Sequence, residues 1–265
     1  MITSTSNQQM KNLTSLMKKS KERKNQNAFV VEGHKMVFEA PRERVKAIYV
    51  AESFLQDSTK NEALKRYCEQ APLLSYEVVS DSVFKSISDT QTPQGIMAIV
   101  EIPNYEWSDL LKGEKTHLLV LESIQDPGNL GTMVRTGEGA GITGILMNKT
   151  TVDLFNPKTI RSTMGSIYRI PYMVVDDLEQ VLLDLKKEGV SLYAAHLKGE
   201  LSYDEPDYTS ATGFLIGNEG NGLSDAVADC ADTYIKIPME GKVESLNAAI
   251  SATLLMYECN RQRRK

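Results

Sequence analysis

The sequence predicts an α/β protein of two domains, a small α/β domain followed by a larger one built on a mostly parallel sheet. Three observations carry this. Short apolar runs alternate with helix-spaced segments along the whole chain. The pattern breaks over 103–115, where Pro, Asn, Trp, Gly and charges replace it. Beyond the break, apolar runs end in polar or glycine-rich loops, as strands do when their carboxyl ends carry a ligand site.

Taken in order, Met10, Leu13 and Leu16/Met17 sit at helical spacing and predict a basic amphipathic helix over 8–20. Residues 28–31 form a strand, followed by Glu32-Gly33-His34 and a helix over 35–39 stopped by Pro41. Strands at 45–50, 75–79 and 95–101 alternate with helices at 61–70 and 81–86. The polar link Thr90-Gln91-Thr92-Pro93-Gln94-Gly95 reads as a surface loop rather than an RNA-contacting edge. The boundaries are then 1–103 for the first domain, 104–116 for a linker and 117–265 for the second domain.

In the second domain, 118–121 is a buried strand, and Asp126 caps a helix with Pro127 at its first position. That helix carries Asn129, Gly131, Arg135, Gly137, Gly139 and Gly141. Glycines in its second half weaken it by about 1 kcal/mol each relative to Ala, which points to close backbone packing or an approaching ligand. Strands follow at 144–147, 170–175, 191–195 and 213–216, with a short helix near 157–164. Leu178, Val181, Leu182 and Leu185 mark one face of another helix, with Asp176 and Glu179 flanking its start. A strand over 234–237 stops at Pro238, and Ser245 is expected to open a last helix on the face Leu246, Ile250, Leu254 and Tyr257. The loops after 195, 216 and 237 are polar or glycine-rich, and the site is expected there.

Composition excludes several classes. A hydrophobic fraction of 41% with 25% charged residues describes a folded chain, not a disordered one. No apolar run reaches the roughly 20 residues that cross a bilayer, and the polar start lacks a secretion signal, so a cytoplasmic protein is expected. Three cysteines and three scattered histidines lack metal-ligand spacing, so reduced thiols and no metal are expected. The net charge of −5 argues against indiscriminate nucleic-acid binding, yet Lys11, Lys18, Lys19, Lys21, Arg23 and Lys24 crowd one end and Arg261, Arg263, Arg264 and Lys265 the other. Such ends are either solvated tails or phosphate-contacting arms, and charge alone does not choose.

Taken singly, Gly217-Asn218-Glu219-Gly220 is a weak turn signal, a poor dinucleotide fingerprint and no phosphate loop. The full set is specific. Asn129-Leu130-Gly131-Thr132-Met133-Val134-Arg135-Thr136, then Gly217-Asn218-Glu219-Gly220-Asn221-Gly222, then Ile237-Pro238-Met239 with Ser245-Leu246-Asn247, resemble in order and spacing the three signature motifs of the SpoU (TrmH-like) branch of SPOUT RNA methyltransferases. The resemblance spans 118–257, and Asn156-Pro157-Lys158 through Arg161-Ser162-Thr163-Met164-Gly165-Ser166 is similar to the family as well. The first hundred residues, with Phe29-Val30-Val31-Glu32-Gly33, resemble the substrate-binding domain of its ribosomal-RNA members, itself similar to ribosomal proteins that bind kink-turn RNA.

The resemblance implies a SPOUT domain with a deep trefoil knot, its last helix passing through a loop, working as a homodimer. It implies S-adenosylmethionine held by Gly217, Asn218, Gly220, Ile237, Met239 and Leu246, and 2′-O-methylation of RNA, with large-subunit ribosomal RNA as partner. The catalytic set it implies is Arg135, Asn129, Glu219, Ser245 and Asn247. Because a guanidinium is not readily deprotonated, Arg135 is expected to hold a phosphate and stabilise the developing alkoxide rather than act as a base. Glu219 is expected to orient Arg135 or accept the proton, while Asn129, Ser245 and Asn247 position the hydroxyl and the loops. Lys18, Lys19, Lys21, Arg23, Lys24 and Arg161 are the expected RNA contacts. Competing readings are a transfer-RNA enzyme of the same family, a drug-resistance methyltransferase and a catalytically silent RNA-binding or ribosome-assembly protein.

Overall fold

The structure, a computed structural model, describes residues 1–70 and 74–264; Lys265, the last of the C-terminal basic run, lies outside them. In chain order the elements are α1 (Gln8–Lys18), α2 (Ser20–Gln26), β1 (Ala28–Glu32), α3 (His34–Glu39), β2 (Val45–Ala51), α4 (Glu52–Gln56), α5 (Ser58–Glu69), β3 (Tyr76–Val79), α6 (Asp81–Ile87) and β4 (Ile96–Glu101). There follow α7 (Trp107–Leu110), β5 (His117–Leu121), α8 (Pro127–Ala140), β6 (Gly144–Asn148), α9 (Pro157–Thr163), β7 (Tyr172–Val175), α10 (Leu178–Lys187), β8 (Ser191–Ala195), β9 (Leu201–Ser202), β10 (Thr212–Ile216), α11 (Asp225–Ala228), β11 (Thr233–Lys236) and α12 (Ala248–Arg263). Two units result, one of residues 1–103 with 153–168, the other of 104–152 with 169–265.

The first unit is a four-stranded sheet in the order β1-β4-β2-β3, antiparallel except for the parallel pair β2–β3. Asn7 caps α1 by accepting from the Gln9 N–H at 2.8 Å, and Met10, Leu13 and Leu16 are fully buried from one helical face. The helix expected over 8–20 breaks at Lys19, whose backbone is extended, and α2 continues to Asn27 in the left-handed region. The segment 153–168, which sequence spacing assigned to the second domain, belongs to this unit. Phe155 packs on Phe29 with ring centres 4.6 Å apart, and Tyr168 donates to the Met36 carbonyl at 2.8 Å.

The second unit is a seven-stranded sheet in the order β7-β6-β5-β10-β8-β11-β9, every pairing parallel. β5 and β10 are buried along their whole length, which is why they read as unbroken apolar runs. The stretch expected to be a linker is folded into this unit: α7 delivers a fully buried Leu110, and a Cβ on Gly144 would stand 2.4 Å from its Cγ. The glycines of α8 serve close packing. A Cβ on Gly137 would lie 2.4 Å from Ile142 and 3.4 Å from Met256 of α12. Among the described residues no helix is long and apolar enough to cross a membrane.

α12 departs from expectation at its start and in its buried face. It begins at Ala248 with Asn247 as cap, not at Ser245. The buried residues are Ala249, Ala252, Leu255, Met256, Glu258 and Cys259, while Ile250 and Tyr257 are 50% and 43% exposed.

Candidate active site

Strands β10, β8 and β11 are neighbours, so the loops leaving their carboxyl ends lie side by side. The β10 loop is the tightest. Asn218 and Gly222 exchange backbone hydrogen bonds at 2.9 Å in both directions, closing a turn over 218–222. A Cβ on Gly217 would meet the Gly222 carbonyl carbon at 2.1 Å, so the close approach admits only glycine. Asn218 is consumed inside this framework. Its Nδ2 donates to the Ser123 carbonyl at 2.8 Å and its Oδ1 accepts from Gly220 and Asn221 N–H groups. Its side chain therefore shapes the loop.

Ser123, at φ 58, holds a left-handed backbone uncommon for a non-glycine residue. Its N–H donates to Asn148 Oδ1 at 2.9 Å, its Oγ meets Thr150 Oγ1 at 2.6 Å, and its carbonyl accepts from Asn218 and Gln125. Those partners over-determine the strained turn, and the turn sets the backbone of Gln125 and Asp126 ahead of α8.

There the three motifs converge. The Glu219 carboxylate accepts from the backbone N–H groups of Gln125 and Asp126 and from Asn129 Nδ2, each at 3.0 Å. Asn247 Nδ2 donates to Asn129 Oδ1 at 3.0 Å, while Asn247 Oδ1 accepts from the Ala249 and Ile250 N–H groups at the start of α12. Burial alone would raise the Glu219 carboxyl, but the hydrogen bonds from Asn129, Gln125 and Asp126 outweigh it and hold the group below its ordinary value. The nearby N-terminus of α8 adds favourable dipole. Asn129, Glu219, Leu246 and Asn247 line an open cleft of about 620 Å³ with Gln125, Asp126 and Ala248.

Other expected residues lie elsewhere. Arg135 is on α8, six residues beyond Asn129, exposed and without a hydrogen-bond or ion-pair partner among the described residues. Glu219 thus orients Asn129, not Arg135. Ser245 is exposed two residues before the cap, and Ile237 and Met239 are half-buried beyond β11. The loop after β8 folds onto β11, with His196 stacked on Tyr234 at 5.0 Å, and gives no residue to the cleft. The loop after β5 takes that place. Gln125 and Asp126 were missed because they contribute backbone N–H groups, which carry no side-chain signature; only the Asp126-Pro127 cap hinted at that turn.

In the first unit Lys18, Lys19, Lys21 and Lys24 are exposed, but Arg23 is 4% exposed. Its guanidinium donates to Asp153 and to the Leu16 and Met17 carbonyls, so it is a core residue rather than an RNA contact. Arg161 pairs with Asp89 at 3.1 Å and keeps a third of its side chain exposed.

Comparison with known proteins agrees with this geometry. Residues 116–257 match the SpoU rRNA Methylase family, and residues 7–98 match the MRM3-like substrate binding domain. The chain is 34% identical over 258 residues, 97% of each chain, to the 23S rRNA (guanosine(2553)-2′-O)-methyltransferase RlmP of Bacillus subtilis (strain 168). An AdoMet-bound rRNA methyltransferase from Sinorhizobium meliloti superposes with a TM-score of 0.86 at 28% identity, covering 98% of this chain and 97% of that one. A solved RNA 2′-O ribose methyltransferase superposes at 0.82 with 29% identity, covering 100% and 99%.

Proposed function

The chain belongs to the SpoU rRNA methylase family, and on that premise we propose that it transfers a methyl group from S-adenosylmethionine to a ribose 2′-hydroxyl of RNA, with large-subunit ribosomal RNA as substrate class. The observation that carries this reading is the meeting of Asn129, Glu219, Leu246 and Asn247, from three separated motifs, in one cleft.

The residues present suit the cofactor. The glycine-tight β10 loop and the half-buried Ile237, Met239 and Leu246 would supply close backbone edges and apolar walls, which recognise an adenine without charged side chains. Gly217, Gly220, Ile237, Met239 and Leu246 are the residues assigned to it. When bound, it supplies an electrophilic methyl group on a sulfonium. The chain's own residues align the hydroxyl with that methyl. Arg135, without a partner among the described residues, is assigned to an RNA phosphate and to the charge developing on the attacking oxygen. Ser245 is assigned to substrate positioning. Glu219, engaged by three donors and held below its ordinary carboxylate value, is assigned to positioning Asn129, and the hydroxyl proton leaves to water in the open cleft as the oxygen attacks.

The same reading takes the protein as a knotted homodimer. The outward apolar residues Ile250 and Tyr257 of α12 support a covered surface there. The test is transfer of labelled methyl from S-adenosylmethionine to ribosomal RNA from cells lacking the protein, followed by mapping of alkali-resistant 2′-O-methyl positions. One new position in large-subunit RNA is expected. Labelling of transfer RNA alone, or no labelling despite cofactor binding, would defeat the assignment.

A further inference from the structure

The hydrogen-bond chain through the cleft has a polarity fixed at both ends. Asn247 Oδ1 accepts from two backbone N–H groups, which can only donate, so its amide nitrogen is the atom turned toward Asn129. At the other end the ionised Glu219 carboxylate can only accept, so Asn129 faces it with Nδ2 and leaves Oδ1 for Asn247. The usual ambiguity between the two orientations of a carboxamide is thereby removed at both asparagines. Each amide nitrogen carries two hydrogens and spends one on this chain. The second has no partner among the described residues, and both side chains line the cleft.

We propose that Glu219 is a positioning residue that sets both carboxamides, and that the two spare N–H groups of Asn129 and Asn247 together hold one oxygen of the substrate's ribose-phosphate. The oxygen is either the target 2′-oxygen or one on the adjoining phosphate. This deepens the functional reading above and rests on it. Preorganised neutral donors suit an oxygen on which negative charge grows, because they need no rearrangement as it does so. Reversing either amide would replace a donor by an acceptor and repel the same oxygen.

Two variants separate this role from a structural one. Glu219→Ala takes away both acceptor oxygens, so Asn129 Nδ2 loses the group that turns it. Asn247→Asp keeps an acceptor for the α12 cap but has no hydrogen for Asn129. In the RNA-free protein, the side-chain amide NMR resonances of Asn129 are expected to move in both variants. An unmoved resonance in Glu219→Ala would overturn the relay, whatever the protein does with RNA. In single-turnover methyl transfer, both variants are expected to slow on the order of 100-fold. Cofactor affinity by calorimetry and the melting temperature of Asn247→Asp should stay near wild type. The acid limb of the pH–rate profile should keep its place in Glu219→Ala; its disappearance would make Glu219 the base and overturn the proposal.

Asn129→Ala then locates the oxygen. If the pair holds the 2′-oxygen, the variant weakens binding of the normal RNA and not of RNA carrying a 2′-deoxy target. If it holds the phosphate, both weaken alike, and weakening of neither overturns the proposal. A wild-type protein that methylates no RNA would defeat the functional reading instead, leaving the amide test standing.

Discussion

His117 shows how one buried group sets a property of the whole protein. It is 1% exposed, its Nε2 has no partner among the described residues, and burial, followed by the nearby Arg263 guanidinium, pushes the imidazole down to about 3. The unfolded chain takes up this proton near the ordinary histidine value while the folded chain refuses it. Stability is therefore complete above that value and is lost as pH falls toward 3, by up to about 1.4 kcal/mol per pH unit. Urea midpoints at pH 7 and pH 4.5 should differ less in His117→Leu than in wild type. Arg23 makes the complementary case. Asp153 is buried enough to be raised, but hydrogen bonds from Ser20 and Arg23 and the guanidinium's charge hold it low. Arg23→Met strands that carboxylate and should destabilise by about 3 kcal/mol in denaturant unfolding. A basic run does not reveal this, because the partner lies 130 residues away in sequence.

At the scale of elements, α1 and α2 divide their work between faces. Met10, Leu13, Leu16 and Met17 form part of the first unit's core, while Lys18, Lys19, Lys21 and Lys24 point outward at the break between the helices. Deleting the whole segment would open the core, so charge removal is the cleaner probe. Replacing the four lysines by Gln should leave the melting temperature within a degree or two. It should weaken RNA binding and reduce the slope of log K against log salt by about 3 if each lysine meets a phosphate. An unchanged slope would show that this surface does not face RNA.

The α1 face was legible because its apolar residues recur with one polar side opposite. α12 was not, because apolar residues surround it. The spacing Leu246, Ile250, Leu254, Tyr257 is regular, yet packing on α8 selected Ala249, Ala252, Leu255, Met256 and Cys259. Two capping residues two positions apart left its start open, and the Asn247 side chain decides it. The convergence of Asn129, Glu219 and Asn247 followed from a resemblance between motifs; no local pattern would have paired residues 118 positions apart.

For the whole molecule, the division of the chain is the property least visible in its sequence. A short helix such as α9 carries no sign of which sheet it will cover, and 153–168 joins the first unit through Phe155, Asp153 and Tyr168. Residues 1–103 expressed alone should therefore bind a hydrophobic dye and melt without a cooperative transition, whereas a fusion of 1–103 to 153–168 should fold. Equal, cooperative melting of both would show the added segment to be dispensable.

That interleaving bears on how the protein is made. A ribosome releases the chain from its N-terminus, so the first unit waits for residue 168, by which time β5, α8 and β6 of the second unit have already emerged without β10, the strand that lies between β5 and β8. Neither unit can finish before the other has begun. Nascent chains stalled just short of residue 168 should stay exposed to proteases and chaperones, and Asn247, which closes the cleft, is added only after every strand of both sheets.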